Sequence, residues 1–323
     1  MSYLIGCDPE LFLSRGGKTI GSERVVPEVK SIVMRDGIQV ELNPPASMSP
    51  AILGSWISQA FRNLDRMVKA QPGVEIDFNE VVEVERAELD SLSERSRILL
   101  CTPSKNIYGP RPSMSEAERA AYRIRSAGGH LHFGLRGDLY DERLRMVTWF
   151  DVFVGNTCVL IDRDPKAIIR REHYGRAGEY RIPNYGLEYR TLSNFWLRNF
   201  TLLDFVFSLS KIAIGVVEDS LNGGELESRL IEVVDINRVI KAIDENNLDL
   251  AWKNWKDLTI LNRSLVGYTG SKLGLFNQWP MLSLMAWFEK TEKNGLDKVF
   301  LGDPVDHWLR GKQVPFSSYI MHA

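Results

Sequence analysis

The sequence predicts an α+β protein: a sheet of N-terminal and central strands carrying helices, then a helical last third. Two observations carry the fold. Apolar and polar residues alternate between turn signals before residue 45 and again around residues 130 and 188, which is strand behaviour. Helical spacing instead runs from Ala51 to Lys69 and through most of the chain beyond Asn199. A third observation concerns chemistry. Asp8-Pro9-Glu10, Gln39-Val40-Glu41-Leu42-Asn43, His130-Leu131-His132 and Glu188-Tyr189-Arg190 each set two capable polar side chains two residues apart. Side chains at i and i+2 share one face of a strand. If the four are strands of one sheet, that face gathers carboxylates, two imidazoles and an arginine. A protein interior tolerates such a set when it holds cations, so the pattern points to a metal and phosphate site.

The elements follow in order. Leu4 to Leu13 is an apolar run carrying Asp8 and Glu10, and Gly16-Gly17 is a tight turn. Lys30 to Asn43 holds Asp36-Gly37 between alternating runs, a hairpin signal. On its second arm Ile38, Val40 and Leu42 face one way, and Gln39, Glu41 and Asn43 the other. Pro44-Pro45 ends this strand. Ser49-Pro50 then reads as an N-cap with proline at the first helical position, opening the helix over Ala51 to Lys69. Ser115-Glu116-Ala117-Glu118 matches a capping box and opens a helix that reaches Arg123. Gly128-Gly129 precedes a strand over His130 to Gly134, and Asp141 to Leu160 reads as a long apolar helix. Residues 162–198 are rich in arginine, glycine and tyrosine and have no helical period, so strands and loops are expected. Later helices break near Asn222–Gly224, Gly267–Gly274 and Gly302–Pro304. Residues 1–198 are the expected catalytic core, and 199–323 a helical portion packed on the same core as one continuous domain.

Bulk properties narrow the partners. The net charge is −2, so no general field favours nucleic acid or an anionic membrane. An anionic ligand has to be held by a local arginine cluster. The three cysteines, Cys7, Cys101 and Cys158, lack metal-type spacing and read as reduced thiols of a cytoplasmic protein. No signal peptide is expected. Phe200 to Val217 is the most apolar stretch, but Asp204 and Lys211 interrupt it, so a buried helix is expected rather than a membrane span.

Hard oxygen donors suit Mg²⁺ or Mn²⁺, and one added imidazole fits either, Mn²⁺ slightly better. Asp8, Glu10, Glu41 and Glu188 supply the oxygens and His130 the nitrogen. Alone, Asp8 and Glu10 would read as a solvated strand face, and H-x-H is a weak signal. Gly6 and Pro9 mark a specially shaped backbone beside the acids, and Gly128, Gly129 and Gly134 suggest close backbone approach beside the histidines. Arg170, Arg171, Arg176, Arg181 and Arg190 lie in one short segment, and the arginine fork matches phosphate oxygens. The chain has no P-loop, no dinucleotide fingerprint, no nucleophile elbow and no H-E-x-x-H. A nucleotide would bind here through metals and arginines on a sheet.

Taken together and in order, four motifs resemble the phage-type carboxylate–amine ligases of the glutamine synthetase and glutamate–cysteine ligase superfamily. They are Gly6-Cys7-Asp8-Pro9-Glu10-Leu11, the Glu41-Leu42-Asn43-Pro44-Pro45 strand, Gly128-Gly129-His130-Leu131-His132-Phe133-Gly134 and Tyr185-Gly186-Leu187-Glu188-Tyr189-Arg190-Thr191-Leu192-Ser193. Tyr174-Gly175-Arg176-Ala177-Gly178-Glu179-Tyr180-Arg181 strengthens the likeness, which spans residues 3–200. It implies a curved antiparallel sheet whose concave face holds two or three divalent ions. It also implies an ATP-dependent amide synthesis through an acyl phosphate. By position, Asp8, Glu10, Glu41 and Glu188 match acidic metal ligands, His130 the metal-adjacent histidine, and Arg181 and Arg190 arginines that contact phosphates. The sequence departs from better-known members in Asp8-Pro9 and in His132, a position that often carries asparagine.

The expected activity is therefore an ATP- and Mg²⁺- or Mn²⁺-dependent ligase joining small-molecule or peptide carboxylates and amines. Arg190, Arg181 and His132 are the expected catalytic residues, and Arg171, Arg176, Arg181 and Arg190 the expected nucleotide contacts. A related phosphotransferase of the guanidino kinase kind, and a non-catalytic nucleotide- or partner-binding protein, remain open alternatives.

Overall fold

The computed structural model describes residues 3–97, 104–110, 114–162, 164–265 and 302–311. Its strands are β1 (Tyr3–Cys7), β2 (Glu10–Arg15), β3 (Lys18–Ile20), β4 (Val33–Asp36), β5 (Gln39–Leu42), β6 (Val74–Asp77), β7 (Val81–Glu83), β8 (Lys105–Asn106), β9 (Ile124–Ser126), β10 (Leu131–Leu135), β11 (Glu179–Arg181) and β12 (Gly186–Tyr189). All described pairings are antiparallel. One sheet has the order β1-β10-β12-β11-β8, and a second has β3-β2-β5-β4, with β6 also on β2. The protein is thus α+β, as expected.

The apolar run Leu4 to Leu13 is not one strand. It breaks at Asp8-Pro9, and its halves β1 and β2 belong to different sheets. Proline has no N–H to give a ladder, which favours a break there. The two sheets stay joined across it: the Pro9 carbonyl accepts from Leu42 N–H at 2.9 Å, and Glu10 N–H donates to the Gly128 carbonyl at 2.8 Å. Both expected tight turns form. Gly16 and Gly17 take φ of +59° and +75°, and Gly37 takes +59° in the β4–β5 hairpin, conformations that suit glycine.

The first sheet sorts its side chains by alternation. Ile5, Leu131, Phe133, Leu187 and Tyr189 fill one face and are almost fully buried. That face lies on the helical run Arg143–Phe150, Asp151–Gly155 and Asn156–Val159. Phe133 and Phe150 stack with ring centres 4.2 Å apart, and the Tyr189 hydroxyl donates to Asp151 at 2.7 Å. The expected helix over Asp141 to Leu160 is therefore interrupted: its middle turn, Asp151–Gly155, is π-helical. Gly155 there lies under the Tyr189 hydroxyl, where an added methyl would come within 2.5 Å.

Behind this run packs the Phe200–Leu221 helix, buried along most of its length. Among the described residues it alone is long and apolar enough to cross a membrane, yet 83% of its most apolar window is buried inside the fold. Asn199 caps it through a 2.9 Å bond from Leu202 N–H. The Pro50–Lys69 helix begins where expected, but the Ser49 side chain makes no capping bond. The Ser115–Glu118 capping box is complete, and its helix ends at Ala121. Residues 162–198 do contain a helix, Ala167–His173, which that reading missed because two of its three buried residues are arginines, Arg170 and Arg171, so it shows no apolar period. Cys7 and Cys158 are free and buried. Cys101 and the Gly267–Gly274 break lie outside the described residues.

Candidate active site

The register of the first sheet builds the site. Gly6 pairs with His132, His132 with Glu188, and Glu188 with Arg181. One row across four strands therefore presents a bare backbone, an imidazole, a carboxylate and a guanidinium on the face opposite the apolar one. Continued by two residues, the same register sets Asp8, His130 and Arg190 in the next row. The second sheet brings Glu10 opposite Glu41, with Met34 beyond it and Asp36 opposite Gln39. The expected residues Asp8, Glu10, Glu41, His130 and Glu188 thus gather from two sheets that meet at Cys7–Glu10, not from one.

Contacts are close. His132 Nε2 lies 3.0 Å from Asp8 Oδ2, and His130 Nδ1 lies 3.2 Å from Asp8 Oδ1 and 3.6 Å from Glu188 Oε1. Donor atoms of Asp8, His132 and Glu188 all fall within 4.8 Å of one another. Arg181 donates to both Glu188 oxygens, at 2.7 and 2.6 Å, and Arg190 Nε lies 3.1 Å from Oε1. Arg190 also donates to Ser104 Oγ at 3.0 Å and to the Tyr174 hydroxyl at 3.1 Å, with its guanidinium over the Tyr174 ring. His132 Nδ1 is bonded to the Tyr185 hydroxyl.

The other arginines are spent on backbone. Arg170 donates to the Thr191 and Leu192 carbonyls, Arg171 to the Gly175 carbonyl, and Arg176 to the Arg171 and Glu172 carbonyls. They shape the loops around the site, and of the four expected nucleotide contacts only Arg181 and Arg190 turn onto Glu188. The glycines beside the histidines approach the chain itself. A methyl on Gly128 would sit 2.4 Å from the His130 ring, and one on Gly129 would sit 2.1 Å from the Ser193 carbonyl.

The sequence pattern placed Gln39 on the polar face without a role, and it gave no site role to Asp36, Tyr174 or Ser104. Asp36 was absorbed by its turn, although it is the charged neighbour that most raises the Glu10 carboxyl. Gln39 Nε2 reaches Glu10 Oε2 at 3.3 Å, and Gly128 N–H donates to the same oxygen at 2.6 Å. Tyr174 and Ser104 reach Arg190 from loops.

Charge is unbalanced on this face. Burial, with Asp36 and Asp8 nearby, pushes the Glu10 carboxyl up to about 8. Burial, with Asp8, Asp36 and Glu10, pushes Glu41 up to about 9. Burial also raises Asp8, but the His132 and His130 imidazoles outweigh it and hold that carboxyl well below its usual range. Asp8 Oδ1 and the Nε2 atoms of both histidines make no hydrogen bond of good geometry. Crowded acids and unbonded donors are what a divalent cation would satisfy, so the residues fit one.

A pH prediction follows. Glu10 and Glu41 have folded values above their unfolded values of about 4.5. The stability they contribute is complete below that value and is lost as pH rises through 8 and 9. The metal-free protein should melt at progressively lower temperature between pH 6 and pH 9. Saturating Mn²⁺ should reverse this, with its largest gain in Tm at pH 9. Melting curves with and without Mn²⁺ across this range decide it. A gain that does not vary with pH would show that these acids do not meet the ion.

Comparison with known proteins bears on the motifs. Residues 116–264 match the family described as phage phiEco32-like COOH.NH2 ligase-type 2. This bears out the resemblance over the part that carries His130, His132, Glu188 and Arg190. A crystal structure of a bifunctional glutathione synthetase from Pasteurella multocida is similar in fold, with 12% identity and a TM-score of 0.55. The likeness covers 99% of this chain and 52% of that one, so the chain spans about half the length of that protein. No curated protein matches the chain.

Proposed function

We propose that the protein is an ATP-dependent carboxylate–amine ligase that forms an amide through an acyl phosphate. The observation that carries this reading is the convergence of Asp8, His132 and Glu188 with Arg181 and Arg190 on one sheet face. The family match supports it. A curved sheet of the glutamine synthetase type is part of the same proposal.

We assign Asp8, His132 and Glu188, with Glu41 and Glu10 at the rim, as the residues that would hold Mg²⁺ or Mn²⁺, two or three ions in all. His130, bonded around Asp8 and edge-on to Tyr174, would orient that set rather than complete it. A bound divalent ion supplies positive charge against the ATP phosphates. Arg181 and Arg190 hold Glu188 in the ligand-free protein. When a phosphate enters, their N–H groups are the donors available to it. They can then stabilise charge that moves during transfer, which is the effect that speeds the chemical step. The substrate carboxylate attacks the γ-phosphorus and ADP leaves. The amine then attacks the acyl carbon, phosphate leaves, and the amine gives up a proton. An ionised carboxylate of the acidic face that an ion leaves free is the base this step calls for.

The test is incubation with ATP, Mn²⁺ and a pooled metabolite extract, read by mass spectrometry. Products lighter than their summed reactants by one water, formed with ADP and phosphate, are expected. Transfer of phosphate without water loss would point to a phosphotransferase. ATP binding with no turnover in any pool would point to a non-catalytic protein. Glu41→Gln keeps size and removes a negative charge. It should weaken Mn²⁺ binding at least tenfold by calorimetry while the far-ultraviolet spectrum stays unchanged. Equal affinity would remove Glu41 from the ligand set.

A further inference from the structure

Beside the site, at the free end of the second sheet, lies a cleft of about 500 Å³. Strand β4 is the last strand of the order β3-β2-β5-β4, and the cleft wraps its outer edge. Met34, Arg35 and Gly37 of the β4 hairpin line it, facing Lys30, Ser93 and Arg95. The cleft adjoins the acidic face through two residues. Met34 is the cross-strand partner of Glu41, and Gly37 follows Asp36. Arg95 also lies near enough to Asp36 to oppose the rise in its proton affinity, as do Arg181 and Arg190.

The far wall is built. Glu23 accepts from Ser93 N–H at 3.0 Å and from the Ser93 and Ser96 hydroxyls at 2.5 Å each. Arg24 ties the same region to Glu88 at 2.7 and 3.0 Å. Arg35 is anchored by the Val26 carbonyl. These bonds fix the cleft before any ligand arrives, which lowers the ordering cost of binding.

Its charge selects a ligand. Among the lining residues Lys30, Arg35 and Arg95 outnumber one carboxylate, Glu28, which is paired with Arg95 at 3.0 Å across an exposed contact; Glu23 behind the far wall also acts on Arg35, but its oxygens are taken up by Ser93 and Ser96. Such an exposed pair exchanges partners at little cost. A cationic amine would meet net repulsion here. A multiply anionic molecule would meet complementary charge. The size falls within the roughly 300–1,000 Å³ of clefts that hold molecules larger than one amino acid. Among the described residues no aromatic side chain lines it, so none of them offers a stacking face for a nucleobase.

We propose that this cleft seats the carboxylate substrate, and that this substrate is a polyacid or acidic peptide. Its remote anionic groups lie on Lys30, Arg35 and Arg95, and its reacting carboxyl extends past Met34 onto the acidic, arginine-flanked face. The proposal rests on the ligase reading and deepens it.

The probe is a fluorescein-labelled tri-glutamate peptide, read by anisotropy with Mn²⁺ present. Wild type should bind it, unlabelled tri-glutamate should displace it, and tri-lysine and spermidine should not. Raising salt should weaken binding. The double variant Lys30→Glu/Arg95→Glu should bind about tenfold more weakly, as two reversed exposed contacts predict. Both side chains are largely exposed, so the fold should persist, and the Mn²⁺ affinity of the variant, measured by calorimetry, should not fall, because the added charge is negative. Equal peptide affinity in the variant, stronger binding of tri-lysine, or competitive displacement of the probe by ATP would each overturn the assignment. If wild type turns over ATP but does not bind the peptide, the cleft assignment fails and the ligase reading stands. If it binds the peptide as described but never turns over ATP, the anion cleft stands and the ligase reading fails.

Discussion

Glu188→Gln should destabilise the ligand-free protein by about 3 kcal/mol, the lower end of the range for breaking a buried ion pair. Glu188 is almost fully buried, receives two bonds from Arg181 and lies 3.1 Å from Arg190 Nε. Glutamine fills the same space but brings no charge. Arg190, equally buried, would keep Ser104 and Tyr174 and lose the carboxylate 3.1 Å from its Nε. The Arg181 side chain is 35% exposed, so water softens the loss there, which is why the lower end applies. Urea unfolding measures the effect: with a slope of 1–3 kcal/mol/M the midpoint should fall by about 1 M or more. Inorganic phosphate should recover part of it, because an oxyanion can reach the part-exposed Arg181 fork from solvent once no carboxylate claims both of its bonds. An unchanged midpoint would mean that the bridge contributes nothing to the fold. A lowered midpoint that phosphate leaves untouched would argue against the two arginines as a phosphate site.

Much of this face was legible because strand alternation is a strict rule. His132 and Glu188 lie on β10 and β12, and His130 and Arg190 each sit one residue beyond the end of the same strand, so strand alternation sets each pair on one face. The Asp36-Gly37 hairpin was legible for an equally local reason, since two-residue turns select glycine. Pairing order was not legible. Nothing in residues 3–7, 131–135 and 186–189 says that they lie side by side, and that order is what sets His132 opposite Glu188. It also moves His132 into the closest donor group, where the motif had pointed to His130. The break at Asp8-Pro9 had a visible cause in proline, but its outcome, two sheets meeting at the acids, depends on hydrogen bonds to Gly128 and Leu42 from far along the chain. Arg171 and Arg176 show the converse limit. Composition gave them the chemistry of phosphate contacts, while backbone carbonyls at the end of the Ala167–His173 helix and at Gly175 claim their donors. Tyr174 and Ser104 reach Arg190 through loops that have no period to read.

Arg190→Ala should lower ATP turnover by about two orders of magnitude while changing ATP affinity far less. Arg190 shares a strand face with Glu188 and is held from three sides, by Glu188, Ser104 and Tyr174. A guanidinium fixed in this way before the reaction needs little reorganisation when charge shifts onto the transferring phosphoryl group. Loss of one such preorganised donor typically costs about 3 kcal/mol of transition-state stabilisation. If it binds moving charge and not resting charge, the loss falls on kcat rather than on KM. Arg190→Lys keeps the charge but replaces a planar fork with a point ammonium. It cannot serve Glu188, Ser104 and Tyr174 together, so it should recover only part of the rate. Tyr174→Phe supplies the complementary variant: it keeps the ring under the guanidinium and removes the hydroxyl that Arg190 bonds at 3.1 Å. It should give a smaller fall in kcat, and that fall should nearly vanish when measured in the Arg190→Ala background. Two losses that simply add would show that Tyr174 acts apart from Arg190. Full turnover in Arg190→Ala would place the phosphoryl group elsewhere on the sheet and leave Arg190 as the structural partner of Glu188 alone.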